Sequence, residues 1–206
     1  MTQKGITRQA SKAGKVYARR RELIIKGAQA LTLGTLFSTN SYLLAANKKD
    51  DPRKHAVKVG DQLCLPSWEE DGRKVRPEDV LLNQPPLLVY PCEPESGVIK
   101  DRSRLNQILV ARLEKNSLDK VTSENSADGV VAYSGLCTHT ACAVSEWDES
   151  ASVLVCPCHG SEFNPSQSGI RMNGPAPRSL PALPISLIDN SYVVTALFTS
   201  EVGSSI

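Results

Sequence analysis

Two short segments rich in cysteine and histidine constrain this chain more than any other feature. The first reads CTHTAC at residues 137–142, and the second reads CPCHGS at residues 156–161. Each follows an apolar, β-branched run, so each is expected to form a loop at the end of a strand. Two such loops facing each other can hold a small metal centre, because cysteine and histidine side chains are metal ligands.

The spacing of the two segments supplies a complete ligand set. A C-x-H pattern is followed, after sixteen intervening residues, by C-x-x-H, which provides two thiolates and two imidazoles: Cys137, His139, Cys156 and His159. One further cysteine in each loop is left to link the loops. A Cys2His2 zinc site has the same ligand count, and a set of unrelated disulfides would suit an exported chain. Zinc gives no reason for the extra cysteines, and disulfides alone leave the histidines unexplained.

The two motifs resemble those of the Rieske 2Fe-2S family. The resemblance implies one 2Fe-2S cluster, with the two cysteine ligands on one iron and the two histidine ligands on the other. It also implies a disulfide between Cys142 and Cys158. Two neutral imidazoles make the cluster easier to reduce than thiolates do, so Rieske centres span about −150 to +300 mV against about −400 mV for plant-type ferredoxins.

Several neighbouring residues match the same family or depart from it. Gly160 and Ser161 follow the second histidine, and GPAP at residues 174–177, which includes Pro175, resembles the proline loop that covers the cluster. The resemblance implies that the Ser161 hydroxyl donates to a cluster sulfur. High-potential members carry tyrosine where this chain has Phe163, so we expect a lower potential here.

The first loop also departs from the respiratory members that oxidise quinol, which usually read CTHLGC. Here Thr140 and Ala141 replace the leucine that shields the cluster and the glycine after it. This difference weakens the case for docking at a quinol site.

Short β-branched runs separated by turn residues predict an all-β fold, an antiparallel sandwich or barrel of the Rieske type with a small cluster-binding subdomain at about 135–178. The predicted strands are AVKVG near 56, PLLVY ending at Tyr90, NQILVARL at 106, GVVAYSG at 129, SVLVC ending at Cys156, PISLI at 184 and YVVTALF at 192. The last two predict a hairpin through Asp189 and Asn190. One helical turn is expected near residues 76–82.

The first 46 residues differ in charge from the rest. Residues 1–26 hold eight basic residues against the single acid Glu22, whereas the remainder holds 16 basic and 21 acidic residues. The run ARRRELIIK and the weakly apolar run after it resemble a twin-arginine export signal, cleaved before Asn47 or kept as an anchor. We favour retention over cleavage, and both over an amphipathic helix of a globular domain. A polar linker is expected at residues 47–55 and the Rieske domain at 56–206.

These features predict an electron-transfer subunit rather than an independent enzyme. The favoured function is the iron-sulfur subunit of a quinol:cytochrome c oxidoreductase of the cytochrome bc type. The alternative is the small subunit of a periplasmic molybdenum oxidoreductase such as arsenite oxidase, and a zinc-binding interaction module is the third. Expected partners are cytochrome b/c-type or molybdoenzyme subunits, quinol, and the membrane through the N-terminal segment, but no nucleic acid. The expected location is the periplasmic face of the bacterial inner membrane.

Two features outside the motifs bear on these expectations. An oxygenase would need a second iron site of the 2-His-1-carboxylate type, and His55, which is expected to be solvated, is the one histidine left to build it. That argues against an oxygenase. Cys64 and Cys92 lie upstream near predicted strands, where they form either a second disulfide or two buried thiols.

Overall fold

The computed structural model describes residues 50–204. The predicted export signal (1–46) and the first residues of the predicted linker (47–49) lie outside this range, and their placement stays a prediction. Within residues 50–204, we find no helix with the length and apolar character needed to cross a membrane.

The described chain is built from short antiparallel strands, which confirms the predicted all-β class. In chain order they are β1 (Gln62–Cys64), β2 (Leu87–Cys92), β3 (Ile108–Arg112), β4 (Val130–Ser134), β5 (Glu146–Asp148), β6 (Val153–Cys156), β7 (Ser161–Asn164), β8 (Ile170–Asn173), β9 (Ile185–Ile188) and β10 (Ser191–Val194). Six of them form one sheet in the order β4-β3-β2-β1-β10-β9, and the other four form a second sheet in the order β5-β6-β7-β8. The four-stranded sheet lies within the range predicted for the cluster-binding subdomain.

Helical structure among the described residues is limited to single turns. The α-helix α1 (Lys120–Glu124) begins after Asp119, whose carboxylate accepts a hydrogen bond from the Thr122 amide at 2.7 Å. Such a cap satisfies one of the free amides at a helix start. Short 3-10 helices span Pro52–Lys54, Glu70–Gly72, Pro77–Asp79, Arg104–Asn106 and Lys115–Ser117. The third lies within residues 76–82, where one helical turn was expected.

Strands β3 and β4 are buried on both faces and separate two hydrophobic cores. Side chains of a strand alternate between its faces, so Ile108 and Val110 pack into the core of the six-stranded sheet, while Leu109 and Ala111 face a second core. The second core includes Leu154 and residues of both cysteine-rich loops. Because both faces are covered, these strands read as continuous apolar runs and not as alternating ones.

The predicted strand at AVKVG is wrong. The chain makes a turn at Val59 and Gly60, and Val59 is exposed. Pairing with the sheet begins at the second residue of this turn, where the Gly60 amide donates to the Val194 carbonyl at 2.9 Å. The valines at 57 and 59 form a β-branched pattern, but both precede Gly60, where pairing to β10 starts.

The predicted hairpin at Asp189 and Asn190 is confirmed. Strands β9 and β10 pair around these two residues, with Ser191 opposite Ile188. Both turn residues have positive φ angles, 47° and 59°, as a two-residue type I′ turn requires. Aspartate and asparagine tolerate this left-handed region better than most residues do.

The base of the six-stranded sheet is linked by one disulfide and one buried ion pair. Cys64 on β1 and Cys92 on β2 form a disulfide, so the first of the two alternatives for these residues is the observed one. The Lys100 ammonium contacts both carboxylate oxygens of Asp61, at 2.8 and 2.6 Å, and both residues are buried. Together these links hold the start of the domain to the loop after β2.

The last residues of the predicted linker are bound to the domain. The Arg53 guanidinium pairs with the Asp101 carboxylate and donates to the Ser67 hydroxyl at 2.8 Å. The Asn106 side-chain amide donates to the His55 carbonyl at 2.8 Å. Residues 51–55, the last part of the predicted linker, are therefore attached along the surface of the domain.

Candidate metal centre

Both cysteine-rich segments are loops that close on themselves through backbone hydrogen bonds. In the first, which follows β4, the Cys137 amide donates to the Cys142 carbonyl at 2.8 Å, and the Ala141 amide donates back to the Cys137 carbonyl at 3.0 Å. In the second, between β6 and β7, the Gly160 amide donates to the Cys156 carbonyl at 3.0 Å. Gly160 has φ +69°, a region that glycine reaches without strain. Each segment is thus a tight loop at a strand end, as predicted.

The two thiols without a disulfide partner lie inside the protein. Cys137 and Cys156 are each 1% exposed and pack within the second core. Burial raises the pKa of the Cys156 thiol, and the neighbouring Cys137 thiol raises it further, while the backbone amides of Cys158 and His159 act in the opposite direction. Those amides point at the sulfur, so they would stabilise a thiolate bound to a positive metal ion.

The two histidines lie on the outer side of the same site. His139 is half-buried and His159 is exposed. Their Nδ1 atoms lie 3.3 Å apart, and the two rings are nearly perpendicular, at 83°. Two imidazole nitrogens bound tetrahedrally at 2.0–2.1 Å from one metal ion are separated by about 3.3–3.4 Å. The nitrogen pair therefore has the spacing of ligands to a shared metal ion.

A disulfide joins the two loops beside the buried thiols. Cys142 and Cys158 form the pairing that the family resemblance implies. Their sulfur atoms and that of Cys156 all lie within 4.8 Å of one another. The Thr140 hydroxyl lies 3.7 Å from the Cys142 sulfur. Because the disulfide spans the loops, it fixes their separation independently of any metal.

The GPAP segment packs directly against the second loop. The Ser161 hydroxyl oxygen is buried and accepts a hydrogen bond from the Ala176 amide at 3.2 Å, which leaves the hydroxyl proton available for donation. At Gly174, with φ +83°, an added Cβ would lie 2.5 Å from the Ser161 Cα. Only glycine allows this close approach. Pro175 itself is exposed at the turn of the segment.

Phe163 is fully buried on β7, in the same core as the two thiols. Its ring therefore fills the core beneath the site, as sequence reasoning also allowed. No sequence pattern pointed to Thr138, which is fully buried and donates from its hydroxyl to the Arg178 carbonyl at 2.8 Å. A threonine between two ligand candidates carries no pattern of its own, so this contact had to come from the structure.

Comparison with known proteins identifies the family of this chain. The family model described as the Rieske [2Fe-2S] domain matches residues 101–184. A Haloferax mediterranei protein named as a Rieske subunit of a respiratory nitrate reductase is 36% identical over 134 residues, which is 65% of this chain and 57% of that protein. The cytochrome bc1 complex Rieske iron-sulfur subunit of Streptomyces lividans is 34% identical over 125 residues, or 58% of this chain and 71% of that subunit. This chain belongs to the Rieske iron-sulfur family.

Membership of the Rieske family establishes the cofactor as a Rieske-type 2Fe-2S cluster and the role as an electron-transfer subunit. Among solved structures, the plasma membrane Rieske protein of Synechocystis PCC 6803 matches with 26% identity and a TM-score of 0.34, covering 53% of this chain and 86% of that chain. The chain spans 57% of the length of its Haloferax relative.

The donor set fits such a cluster. The two thiols lie in the protein interior and the two imidazoles lie near its surface. A Rieske cluster needs sulfur ligands on one iron and nitrogen ligands on the other. The site thus has the asymmetry that the cofactor requires.

Proposed function

We propose that Cys137 and Cys156 bind one iron of the cluster and that His139 and His159 bind the other through Nδ1. The observation that carries this assignment is the pair of Nδ1 atoms 3.3 Å apart at the surface, next to two buried thiols. The cluster, when bound, accepts and releases one electron. The protein excludes water from the sulfur side and leaves the imidazole side accessible to a redox partner.

We further propose that this subunit serves a quinol:cytochrome c oxidoreductase of the cytochrome bc type. Relatives from Streptomyces and Corynebacterium are named as cytochrome bc1 complex Rieske subunits, and one from Chlorobaculum tepidum is named as a cytochrome b6-f subunit. The exposed His159 and half-buried His139 form the contact surface for donor and acceptor. In such a complex the domain would move between partners on a linker, which would lie upstream of the attached residues 51–55.

A second candidate is the small Rieske subunit of a periplasmic molybdenum oxidoreductase such as arsenite oxidase. The relative from Haloferax mediterranei, named for a respiratory nitrate reductase, supports a complex other than bc. Thr140, which is exposed beside the disulfide, also supports it. A polar side chain in place of leucine shields the cluster less well and gives a quinol pocket less apolar surface to contact. Phe163 fits a cluster of moderate potential.

We propose that the chain is exported by the twin-arginine route and works at the periplasmic face of the inner membrane. The basic residues 1–26, the RRRELIIK run and the two disulfides support this location. Disulfides persist in oxidising compartments and are rare in the cytosol.

The partner is tested by affinity capture of the tagged full chain from detergent-solubilised membranes of the native organism. A bc-type assignment predicts co-purified b-type haem, seen in reduced-minus-oxidised spectra, and reduction of the cluster by quinol. Molybdenum in the captured fraction without b-type haem would contradict that assignment and support the second candidate.

A His159→Cys variant, which should lower the reduction potential by exchanging a neutral ligand for an anionic one, tests the ligand set separately.

A further inference from the structure

Arg178, just beyond the GPAP segment, holds the C-terminal segment of the described chain, residues 200–204. Its guanidinium donates to the Glu201 carbonyl and to the Gly203 carbonyl, both at 2.6 Å, and to the Ser200 hydroxyl at 3.3 Å. A planar guanidinium presents several N–H groups in a fixed fork, so one side chain can bind two carbonyls at once. Lysine offers no such fork.

The backbone of Arg178 is bound to the first cluster loop. Its carbonyl accepts the hydrogen bond from the Thr138 hydroxyl at 2.8 Å, and Thr138 lies between Cys137 and His139. Arg178 therefore contacts the ligand loop through its main chain and the C-terminal segment through its side chain.

The C-terminal segment also contacts the first loop directly. Gly203 is buried with φ +78°, and a Cβ added there would lie 3.4 Å from the Ala141 Cβ and 3.9 Å from the Leu136 Cδ1. The start of the segment is fixed by Thr199, whose amide donates to the Ala182 carbonyl at 2.9 Å. The segment thus lies over the loop between two fixed points.

The part of the loop under this segment is strained. Ala141 has φ +55°, which is costly for a residue with a Cβ. Its carbonyl accepts a hydrogen bond from the Arg104 guanidinium at 2.9 Å. The loop adopts this conformation because surrounding groups hold it, and the C-terminal segment is one of those groups.

We propose that Arg178 is a positioning residue that clamps residues 200–204 over the first cluster loop, and that this segment is a structural part of the metal centre although it contains no ligand. The inference rests on the ligand assignment above for its relevance to the cluster, and on the contacts of Arg178 and Gly203 for the clamp itself. Its role is to hold the loop that carries Cys137 and His139 in the geometry that retains the cluster.

The test uses the full-length chain and three variants: Arg178→Gln, Arg178→Lys and a chain that ends at Thr199. Cluster loss is followed by visible absorption in the presence of an iron chelator. Removing hydrogen bonds to a charged group lowers the equilibrium constant for the bonded conformation by roughly tenfold or more. We therefore expect Arg178→Gln and the truncation to lose the cluster about tenfold faster than wild type. Arg178→Lys keeps the charge but not the fork, and we expect it to lose the cluster faster as well.

A second readout does not depend on the cluster. In the apo protein, hydrogen exchange of the Ala141 amide, which donates to the Cys137 carbonyl, should speed up in all three variants, while amides of β3 in the six-stranded sheet keep their rates. Arg76→Gln, which removes the same charge from an exposed arginine paired with Glu78, serves as the control and should match wild type in both readouts.

Wild-type rates of cluster loss and of Ala141 exchange in Arg178→Gln would overturn the proposal. So would a truncated chain that loses the cluster quickly while both Arg178 variants retain it, because the segment would then act without the clamp. Equal loss of protection across β3 and the loop would mean that Arg178 stabilises the whole domain and not the loop. A wild-type chain that binds no cluster would contradict the proposed ligands, and the exchange measurement would still decide the clamp.

Discussion

The six-stranded sheet and the four-stranded sheet are stabilised in different ways. In the first, β3 and β4 bury apolar side chains on both faces, and the sheet is further linked by the Cys64–Cys92 disulfide. In the second, the strands have three or four residues each, and all four residues of the edge strand β8 are exposed. The second sheet and its loops depend on specific links: the Cys142–Cys158 disulfide, the Ser161 hydrogen bond and the Arg178 clamp. The difference indicates that two-sided burial, supplemented by one disulfide and one ion pair, stabilises the six-stranded sheet, which is the base of the domain. The loops of the cluster site depend more on individual polar and covalent contacts.

The largest effect is expected in the base, at the buried Lys100–Asp61 pair. Lys100→Met leaves the Asp61 carboxylate buried without its partner, which should lower the free energy of unfolding by about 3–5 kcal/mol. The double variant Asp61→Leu/Lys100→Met removes both charges and should recover most of that loss. Urea denaturation measures both. A double variant as unstable as the single one would show that the pair has a role that apolar packing does not replace.

The two disulfides provide the sharpest test of the comparison. Each closes a loop of similar order, with sequence separations of 16 and 28 residues, so removal of either should cost about 3 kcal/mol. We expect Cys142→Ala/Cys158→Ala to lose the cluster as well, whereas Cys64→Ala/Cys92→Ala should keep its reduced EPR signal unchanged while folded. Iron content and EPR after purification distinguish the two. Equal loss of iron in the two double variants would mean that cluster retention does not depend more on the Cys142–Cys158 disulfide than on the Cys64–Cys92 disulfide.

The Arg73–Asp79 pair in the base predicts a dependence of stability on pH. The hydrogen bonds and charge of Arg73 hold the pKa of the Asp79 carboxyl below its ordinary value. A lowered folded-state pKa contributes stability that is present above the unfolded pKa of about 4 and is lost as pH falls through the folded pKa. Asp79→Asn should therefore be less stable than wild type at pH 7, by about 1–2 kcal/mol, and the difference should shrink below pH 4. A difference that stays constant from pH 7 to pH 3 would contradict this.

A smaller effect is expected where the ligand loop has a strained backbone. Ala141→Gly removes the Cβ from a residue at φ +55°. The relief of about 1–2 kcal/mol is partly offset by the greater freedom of glycine in the unfolded chain. We expect a net stabilisation of up to about 1 kcal/mol. Asn190→Gly, at φ +59° in the hairpin of the base, is the matched control and should change stability little, because asparagine tolerates this region. Thermal unfolding compares the two.

The smallest predicted effect concerns the cluster's electronic environment. Phe163→Tyr places a hydroxyl in the core that contains Cys137 and Cys156. A hydrogen bond to a ligand sulfur favours the reduced state, so the midpoint potential should rise by tens of millivolts. For a one-electron couple, 59 mV corresponds to a tenfold change in equilibrium constant. A fall, or no change, in a redox titration would show that the ring edge points away from the sulfurs.

The strands and site residues that could be predicted from the sequence differ in character from those that could not. The runs at β2, β3, β4, β6, β9 and β10 were predicted because each is a short β-branched or apolar run between turn residues. In β3 and β4 the run is continuous because both faces are buried, whereas β9 kept its apolar pattern although Leu187 and Ile188 are exposed. Strands β1, β5, β7 and β8 were missed, since QLC, EWD, SEFN and IRMN have only three or four residues and each includes polar ones. The ligand candidates were found through cysteine and histidine spacing, which depends on chemistry and not on periodicity. Thr138, Arg104 and Arg178 left no such pattern, because their contacts link segments far apart in the chain.

The central claim is that sulfur ligands lie on the buried side of the centre and nitrogen ligands on the exposed side. It is tested most directly by pulsed EPR of the reduced full-length protein labelled with ¹⁵N-histidine. The account predicts two strong nitrogen couplings in wild type, one of them absent in His159→Cys, together with two iron atoms per chain. A reduced protein without histidine couplings, or a chain that binds a single metal atom after anaerobic reconstitution with iron and sulfide, would contradict it.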